Sequence, residues 1–335
     1  MRQIKVLLIS VLIPVKNPGI YLKSCLDSIL NQSYQNFEII AVDDSSTDGS
    51  AETLFEYSNA YSNFSTYRNQ GSGITNALQT AYNHSKGDYV HRMDADDIMP
   101  TNKLKALLDQ WKKGCVVTGK VKYFSDEWMV GLGFKNYESW INNLMDSKSF
   151  WEDVYMECPI PSPAWLMERK DFESIGGFDS AFLPEDYDLC FRVYKAKMDV
   201  VCVKEVVHLW RDSQNRTSRK LPIYFPMAYY PLKVKYFMEI DRDKKKPLLL
   251  WGAGKKGKRI ANLLLENKQD FVWCTDNNKK IGVDIYNKNL KDCKTLVLND
   301  YQIILAVSSP QDKREINKVL ANSSLKKSKN YWWFC

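Results

Sequence analysis

Apolar runs and amphipathic stretches alternate along the first hundred residues. Val6–Val15 is interrupted only by Ser10 and Pro14, which predicts a buried strand. The loop Pro14-Val15-Lys16-Asn17-Pro18-Gly19 ends it with backbone that proline stiffens. Leu22, Cys25, Leu26, Ile29 and Leu30 then recur at helical spacing, so an amphipathic helix follows. A second strand, Phe37–Val42, runs into Asp43-Asp44-Ser45-Ser46-Thr47-Asp48-Gly49-Ser50. The pattern next predicts a helix over Ala51–Tyr61, a Gly71-Ser72-Gly73 turn, and a helix over Ile74–His84. Gly87-Asp88 returns the chain into Tyr89-Val90-His91-Arg92-Met93, a strand that meets Asp94-Ala95-Asp96-Asp97 and stops at Pro100. Strands alternating with helices, with carboxylates at the strand ends, predict an open α/β sheet that holds a ligand along one edge.

Further on, Trp140–Trp165 is rich in aromatics. Pro159, Pro161 and Pro163 predict an extended path there. Trp151 and Trp165 are candidates for stacking on a sugar or base, or else core residues. Leu189, Val193 and Tyr194 give an apolar helical face after Pro184-Glu185-Asp186, and Val200–Val207 predicts a late strand. Leu221–Ile240 is apolar and aromatic, either a membrane-surface helix or, more simply, a docking segment between two domains. Asp241-Arg242-Asp243-Lys244-Lys245-Lys246 marks a solvated boundary after it.

Length and composition change little in this picture. A chain of 335 residues has room for two domains. Its 44% hydrophobic and 26% charged residues are ordinary for a globular protein. The first apolar run falls well short of the ~20 residues of a membrane helix. No small-x-small cleavage site follows it, so a buried strand is preferred over a signal peptide. Eight scattered cysteines without a CxxC pair, and three histidines, argue against a zinc site and a disulfide framework. Buried thiols in a reducing cytoplasm are expected instead.

Charge is unevenly spread. From Asp241 onward there are 20 Lys and Arg against 10 Asp and Glu, and before it 27 against 30. A solvated surface explains Lys-rich composition by default, but a basic module also suits an anionic partner such as phosphate or nucleic acid.

The candidate chemistry centres on Asp94-Ala95-Asp96-Asp97. Three carboxylates in four residues repel one another unless a cation sits among them. Asp94 and Asp96 share one face of an extended chain, and two hard oxygen ligands suit Mg²⁺ or Mn²⁺. The bland alternative is an acidic turn that caps the next helix. Asp186 lies at a helix start, where the macrodipole favours its ionised form, and a plain N-cap aspartate is the corresponding alternative.

Taken together, five ordered motifs resemble the family 2 glycosyltransferases, which have the GT-A fold. They are Ser10-Val-Leu-Ile-Pro-Val-Lys-Asn17, Val42-Asp-Asp-Ser-Ser-Thr-Asp48, Met93-Asp-Ala-Asp-Asp97, Gly176-Gly-Phe-Asp179 and Glu185-Asp-Tyr-Asp-Leu189. The resemblance covers roughly residues 5–220. It implies an enzyme that moves a hexose from a nucleotide sugar, most often a UDP-sugar, to an acceptor hydroxyl with inversion. By the same resemblance Pro14, Asn17, Asp43 and Asp44 would hold the nucleotide. Asp94 and Asp96 would hold the diphosphate side and the divalent metal of a DxD motif, Mn²⁺ or Mg²⁺. Asp186, with Glu185 beside it, would be the catalytic base, and Gly176-Gly177 would line the acceptor side. Two departures stand out. Leu78-Gln79 occupies the place of a frequent Arg-Asn pair, and Ser213 stands where the family often has the His of Arg-x-His. Arg211 still matches the Arg and is a candidate for the diphosphate, while His208 is a strand residue or a stand-in metal ligand.

A second domain is predicted over residues 247–335. Leu248-Leu-Leu-Trp251 leads into Gly252-Ala-Gly254-Lys-Lys-Gly257 and an apolar helix, with Phe271–Cys274 as the next strand and Asp276 at its end. This is the context of a dinucleotide fingerprint, but ~95 residues leave room for half of a Rossmann sheet only. A structural or regulatory Rossmann-like module is expected rather than an NAD(P) domain. Ile303–Val307 and Pro310–Leu320 continue the alternation. Lys326–Lys329 and Tyr331-Trp-Trp-Phe-Cys335 suit nucleic acid or a tail folded onto a core. The whole layout, with Trp140-Ile-Asn-Asn143, Pro184-Glu-Asp186 and Trp251-Gly-Ala-Gly-Lys-Lys-Gly-Lys-Arg259, resembles queuosine-tRNA galactosyltransferases. That makes tRNA one expected acceptor beside glycan or lipid. The alternative of another class is a nucleotide- or RNA-binding protein with a degenerate transferase site.

Overall fold

A computed structural model describes residues 7–180, 182–213 and 226–335. The chain divides into two compact units, Met1–Lys148 with Ile160–Arg216, and Ser149–Pro159 with Thr217–Cys335.

The first unit is built on a seven-stranded sheet in the order β3-β2-β1-β4-β6-β5-β7. The strands are β1 (Ile9–Val15), β2 (Phe37–Asp43), β3 (Phe64–Arg68), β4 (Tyr89–Arg92), β5 (Cys115–Phe124), β6 (Trp165–Glu168) and β7 (Asp199–Arg211). Strands β1 to β4 are parallel, as short βαβ units require. β6 runs antiparallel to both β4 and β5, making the sheet mixed. Both β1 and β2 are buried almost end to end, which is why their sequences read as apolar runs without alternation. The order reverses between β1 and β4, so the loops after these two strands flank a crevice at the sheet's carboxyl edge. Helices α1 (Tyr21–Leu30), α2 (Ser50–Ala60) and α3 (Ile74–His84) make the first crossovers. The shorter α4 (Lys103–Asp109) follows β4, α5 (Leu132–Ser147) follows β5, and α6 (Arg169–Ser174) and α7 (Glu185–Lys195) precede β7.

One stretch departs from its expected form. Trp140 belongs to α5, whose Ile141, Leu144 and Met145 are buried, and Phe150–Asp153 forms a 3-10 helix after it, so the expected extended path is confined to the proline stretch. Trp165 is a core residue: it sits in β6 with its ring 5.7 Å from Phe172.

The second unit carries a five-stranded parallel sheet in the order β12-β9-β8-β13-β14, from β8 (Leu248–Trp251), β9 (Val272–Thr275), β12 (Lys291–Asp292), β13 (Gln302–Leu305) and β14 (Tyr331–Trp333). A small hairpin of β10 (Asp284–Ile285) and β11 (Lys288–Asn289) is separate from it. Helices α8 (Tyr230–Tyr236), α9 (Lys255–Glu266) and α10 (Pro310–Ala321) belong to the same unit. The expected linker, residues 221–246, is thus corrected in part. Tyr230, Leu232, Val234 and Tyr236 are buried, and Tyr155 donates a hydrogen bond to Asp241 at 2.6 Å. Residues 214–225 lie outside the described residues. Residues 149–159, expected within the first domain, pack with the second unit through Tyr155, whose ring stacks 5.0 Å from Phe334. The terminal aromatics are core too: β14 is an edge strand, Trp332 and Trp333 are buried and Phe334 is fully so.

The Gly252-x-Gly254-x-x-Gly257 turn is tightly self-packed. A Cβ on Gly257 would stand 2.0 Å from the Gly252 carbonyl oxygen, so only glycine lets α9 approach β8 this closely. Asp276, expected at the end of a cofactor strand, accepts the Trp251 indole N–H at 2.6 Å. Lys280 donates to the Ala253 carbonyl at 2.9 Å. Among the described residues no helix is long and apolar enough to cross a membrane.

Candidate functional site

Parallel register brings the predicted loops to one edge. Val15 pairs with Asp43, so the loops after β1 and β2 emerge level with each other, while β4 ends opposite Leu12, three residues short of the end of β1. Pro14 sits half-buried in β1 opposite Val42. Asn17 adopts a left-handed conformation (φ 49°) that asparagine tolerates. Its N–H donates to Ser46 Oγ at 3.0 Å and its Oδ1 accepts from the Thr47 N–H at 2.7 Å, tying the first loop to the second. Asp43 turns the chain by accepting the Ser46 N–H at 3.1 Å. Asp44 accepts from Asn69 Nδ2 at 2.6 Å and from the Gly73 N–H at 3.0 Å. Gly73 has φ 85°, a backbone only glycine adopts at little cost.

After β4 the three carboxylates part company. Arg92 Nε donates to Asp94 Oδ1 at 3.0 Å and Arg92 Nη1 to Glu185 Oε1 at 2.8 Å. Burial works against the Arg92 charge, but Asp94 and Glu185 outweigh it and raise its pKa. Asp97 points the other way, into the core. His208 Nε2 lies 2.8 Å from Asp97 Oδ2, and the Arg211 N–H donates to Asp97 Oδ1 at 2.7 Å. Lys103 Nζ donates to His208 Nδ1 at 3.2 Å and to the Pro163 carbonyl at 2.6 Å. Burial pushes the Lys103 ammonium down to about 7 although Asp97 opposes it. With Nδ1 accepting, the proton of the imidazole sits on Nε2 and faces Asp97. His208 is therefore a fully buried strand residue with both nitrogens engaged, not a stand-in metal ligand.

Arg211 closes β7 with its guanidinium between the rings of Tyr21 (4.4 Å) and Phe124 (4.5 Å). Its Nε donates to the Asp96 carbonyl at 2.7 Å and its Nη1 pairs with Asp126. The neighbouring side chains hold the same segment down: Glu127 accepts from Tyr21 at 3.1 Å, and the Trp128 indole donates to Asp212 at 3.2 Å.

Glu185 and Asp186 open α7 after Pro184. Asp186 Oδ1 accepts the Tyr187 N–H at 2.7 Å. Burial, with Glu185 beside it, pushes the Asp186 carboxyl up to about 7 against the pull of Arg92. Glu185 Oε2 is buried and has no hydrogen-bond partner among the described residues. Arg192, one helical turn after Asp188 and paired with it at 2.9 Å, donates to the carbonyls of Ile175 (2.7 Å) and Gly177 (2.8 Å). That holds the Gly176-Gly177 turn against α7.

No group of three or more His, Cys, Asp or Glu side chains suited to a metal occurs among the described residues. Asp94 and Asp96 are hard carboxylates at one turn, and the Asp94 side chain remains 27% exposed. A two-carboxylate donor set fits Mg²⁺ or Mn²⁺, which completes its shell with phosphate oxygens and water. Arg92 and Lys103 lie outside the motifs read from the sequence, and so does the pairing of Asp97 with His208. Arg92 alone carried a legible signal, as a charge inside an otherwise apolar strand.

Residues 10–175 match the family described as Glycosyl transferase family 2. The glycosyltransferase GlyA of Streptococcus pneumoniae serotype 4 is 29% identical over 219 residues, 63% of this chain and 31% of that one. GlyG of the same organism is 27% identical over 278 residues, 79% of this chain and 89% of that one. The chain thus spans about a third of the length of GlyA. Among solved structures, S. aureus TarS in complex with UDP-GlcNAc superposes with a TM-score of 0.52 at 17% identity, over 76% of this chain and 71% of that one. Mannosyltransferase PcManGT from Pyrobaculum calidifontis, in complex with GDP-Man and Mn²⁺, gives 0.52 at 19% identity, over 76% and 68%. Their likeness is one of fold, the GT-A fold. Motifs, fold and family match agree in likening residues 10–175 to the transferase domain of glycosyl transferase family 2.

Proposed function

We propose that this protein is an inverting, metal-dependent hexosyltransferase of the cytoplasm that takes its sugar from a UDP-sugar and passes it to an acceptor hydroxyl. The observation that carries this reading is the junction at Arg92, which pairs with Asp94 of the Asp94–Asp96 turn and with Glu185, next to Asp186. In this reading Pro14, Asn17, Asp43 and Asp44 receive the nucleotide. Asp94 and Asp96 hold a divalent cation, which supplies Lewis-acid neutralisation of the departing diphosphate. Arg211 reaches the diphosphate once Asp126 releases it. Asp186 takes the acceptor proton, and its raised pKa suits a base working near neutrality. Glu185 offers to the acceptor side its Oε2, which has no hydrogen-bond partner among the described residues. The nucleotide sugars held by TarS and PcManGT support the donor class.

The basic second unit supports a polyanionic acceptor, with queuosine-bearing tRNA as the specific form of that reading. Burial of Trp332, Trp333 and Phe334 removes stacking from its support and leaves charge alone. The test supplies labelled UDP-hexoses and Mn²⁺ to an extract divided into tRNA, lipid and soluble glycan. Incorporation into one fraction identifies the acceptor. No transfer to any fraction, with UDP bound tightly, would count against an active transferase and favour the nucleotide-binding alternative.

A further inference from the structure

Arg92 is the last residue of a strand buried along its whole length. A guanidinium in such a place is costly unless it is paired and hydrogen-bonded. Here one fork serves two carboxylates through two different nitrogens, Nε to Asp94 and Nη1 to Glu185, a residue 93 positions further along the chain. Glu185 has no second hydrogen-bond partner on its other oxygen among the described residues, so Arg92 is the side chain that places it. Arg92 also acts electrostatically on Asp186. We propose that Arg92 is a positioning residue for sugar transfer, fixing the span between the donor-side carboxylate Asp94 and the acceptor-side pair Glu185–Asp186.

This inference rests on the donor reading above. In an inverting displacement the acceptor oxygen bonds to the anomeric carbon as the bond to the diphosphate oxygen breaks, and the acceptor proton passes to Asp186. Both ends must lie on one line, and a misplacement of about 1 Å costs roughly 10²-fold in rate. A planar guanidinium fixes two directions at once, which the point charge of lysine does not. Because one group serves both sides, occupation of the donor side reaches the first turns of α7 through Arg92.

The test uses the full chain with UDP and Mn²⁺ as probe, and follows amide hydrogen exchange in α7 together with slow hydrolysis of UDP-hexose. In wild type, UDP with Mn²⁺ slows exchange at Asp188–Phe191 by about tenfold or more. Arg92→Lys binds UDP within about threefold of wild type, loses that slowing, and hydrolyses UDP-hexose about 10²-fold more slowly at little change in KM. Asp94→Asn, which leaves Arg92 in place, shifts α7 exchange without any ligand. Slowing and hydrolysis in Arg92→Lys equal to wild type would overturn the proposal, as would unchanged α7 exchange in Asp94→Asn. Failure of wild type to bind UDP would overturn the donor reading and this inference together, while the Asp94→Asn result reports on the Arg92 link independently of donor.

Discussion

Asp186 carries two opposed demands, visible in its own surroundings. In the proposed role of base it must be ionised to accept a proton, yet burial and the neighbouring Glu185 hold its pKa at about 7, far above the usual carboxylate value of 3.8. A carboxyl whose folded pKa is raised gives stability that is full below the unfolded value and lost as pH rises through the folded one. Asp186→Asn is therefore expected to raise the melting temperature at pH 8 and change it little at pH 4. The same substitution should lower transfer by ~10²–10⁴-fold while leaving UDP binding intact. Thermal unfolding at the two pH values and a donor titration check both. A destabilised variant at pH 8, or equal loss of binding and transfer, would contradict the role of this residue. The helix start at Asp186 was legible in the sequence because Pro184-Glu185-Asp186 preceded an apolar helical face, whereas its proposed role came only from the family resemblance. Its raised pKa was not legible, since that comes from tertiary burial, which outweighs the opposing pull of Arg92, brought in from β4.

At the scale of elements, the site depends on how the turn after β4 is fastened to β7. Asp97, His208 and Lys103 do this in the core, drawing on the β4 turn, β7 and α4. Removing one member leaves the others buried without compensation, so His208→Ala should cost about 3–5 kcal/mol in urea unfolding. A cost below about 1 kcal/mol would show that the network is not holding these elements together. The central strands β1 and β2 were readable because both faces are buried and their runs are largely apolar, and the short β4 because a glycine turn and a carboxylate cluster bracket it. β3, β5 and β6 gave no comparable signal. β3 is an edge strand with mixed burial, and β6 is a four-residue antiparallel insertion whose pairing is set entirely by its neighbours. The proline-rich stretch before β6 also hid the end of α5, where the aromatics read as extended chain.

The whole molecule divides into two compact units, and the chain does not divide at one point. Residues 149–159 leave the first unit and supply Tyr155 to the core of the second, stacked on Phe334 at 5.0 Å. Periodicity cannot reveal such an excursion, because it reports which face of an element is buried and not against what. The glycine turn at Gly252 was legible as a strand–turn–helix, whereas the pairing of Trp251 with Asp276 needed the fold. Metal-dependent donor binding turns on Asp96. Calorimetric titration of UDP into wild type and Asp96→Ala, with and without Mn²⁺, tests it most directly. Wild type should bind UDP at least about tenfold more tightly with Mn²⁺ than without, and Asp96→Ala should bind equally weakly in both. Mn²⁺-dependent affinity that survives unchanged in Asp96→Ala would contradict the assignment of the metal to this turn.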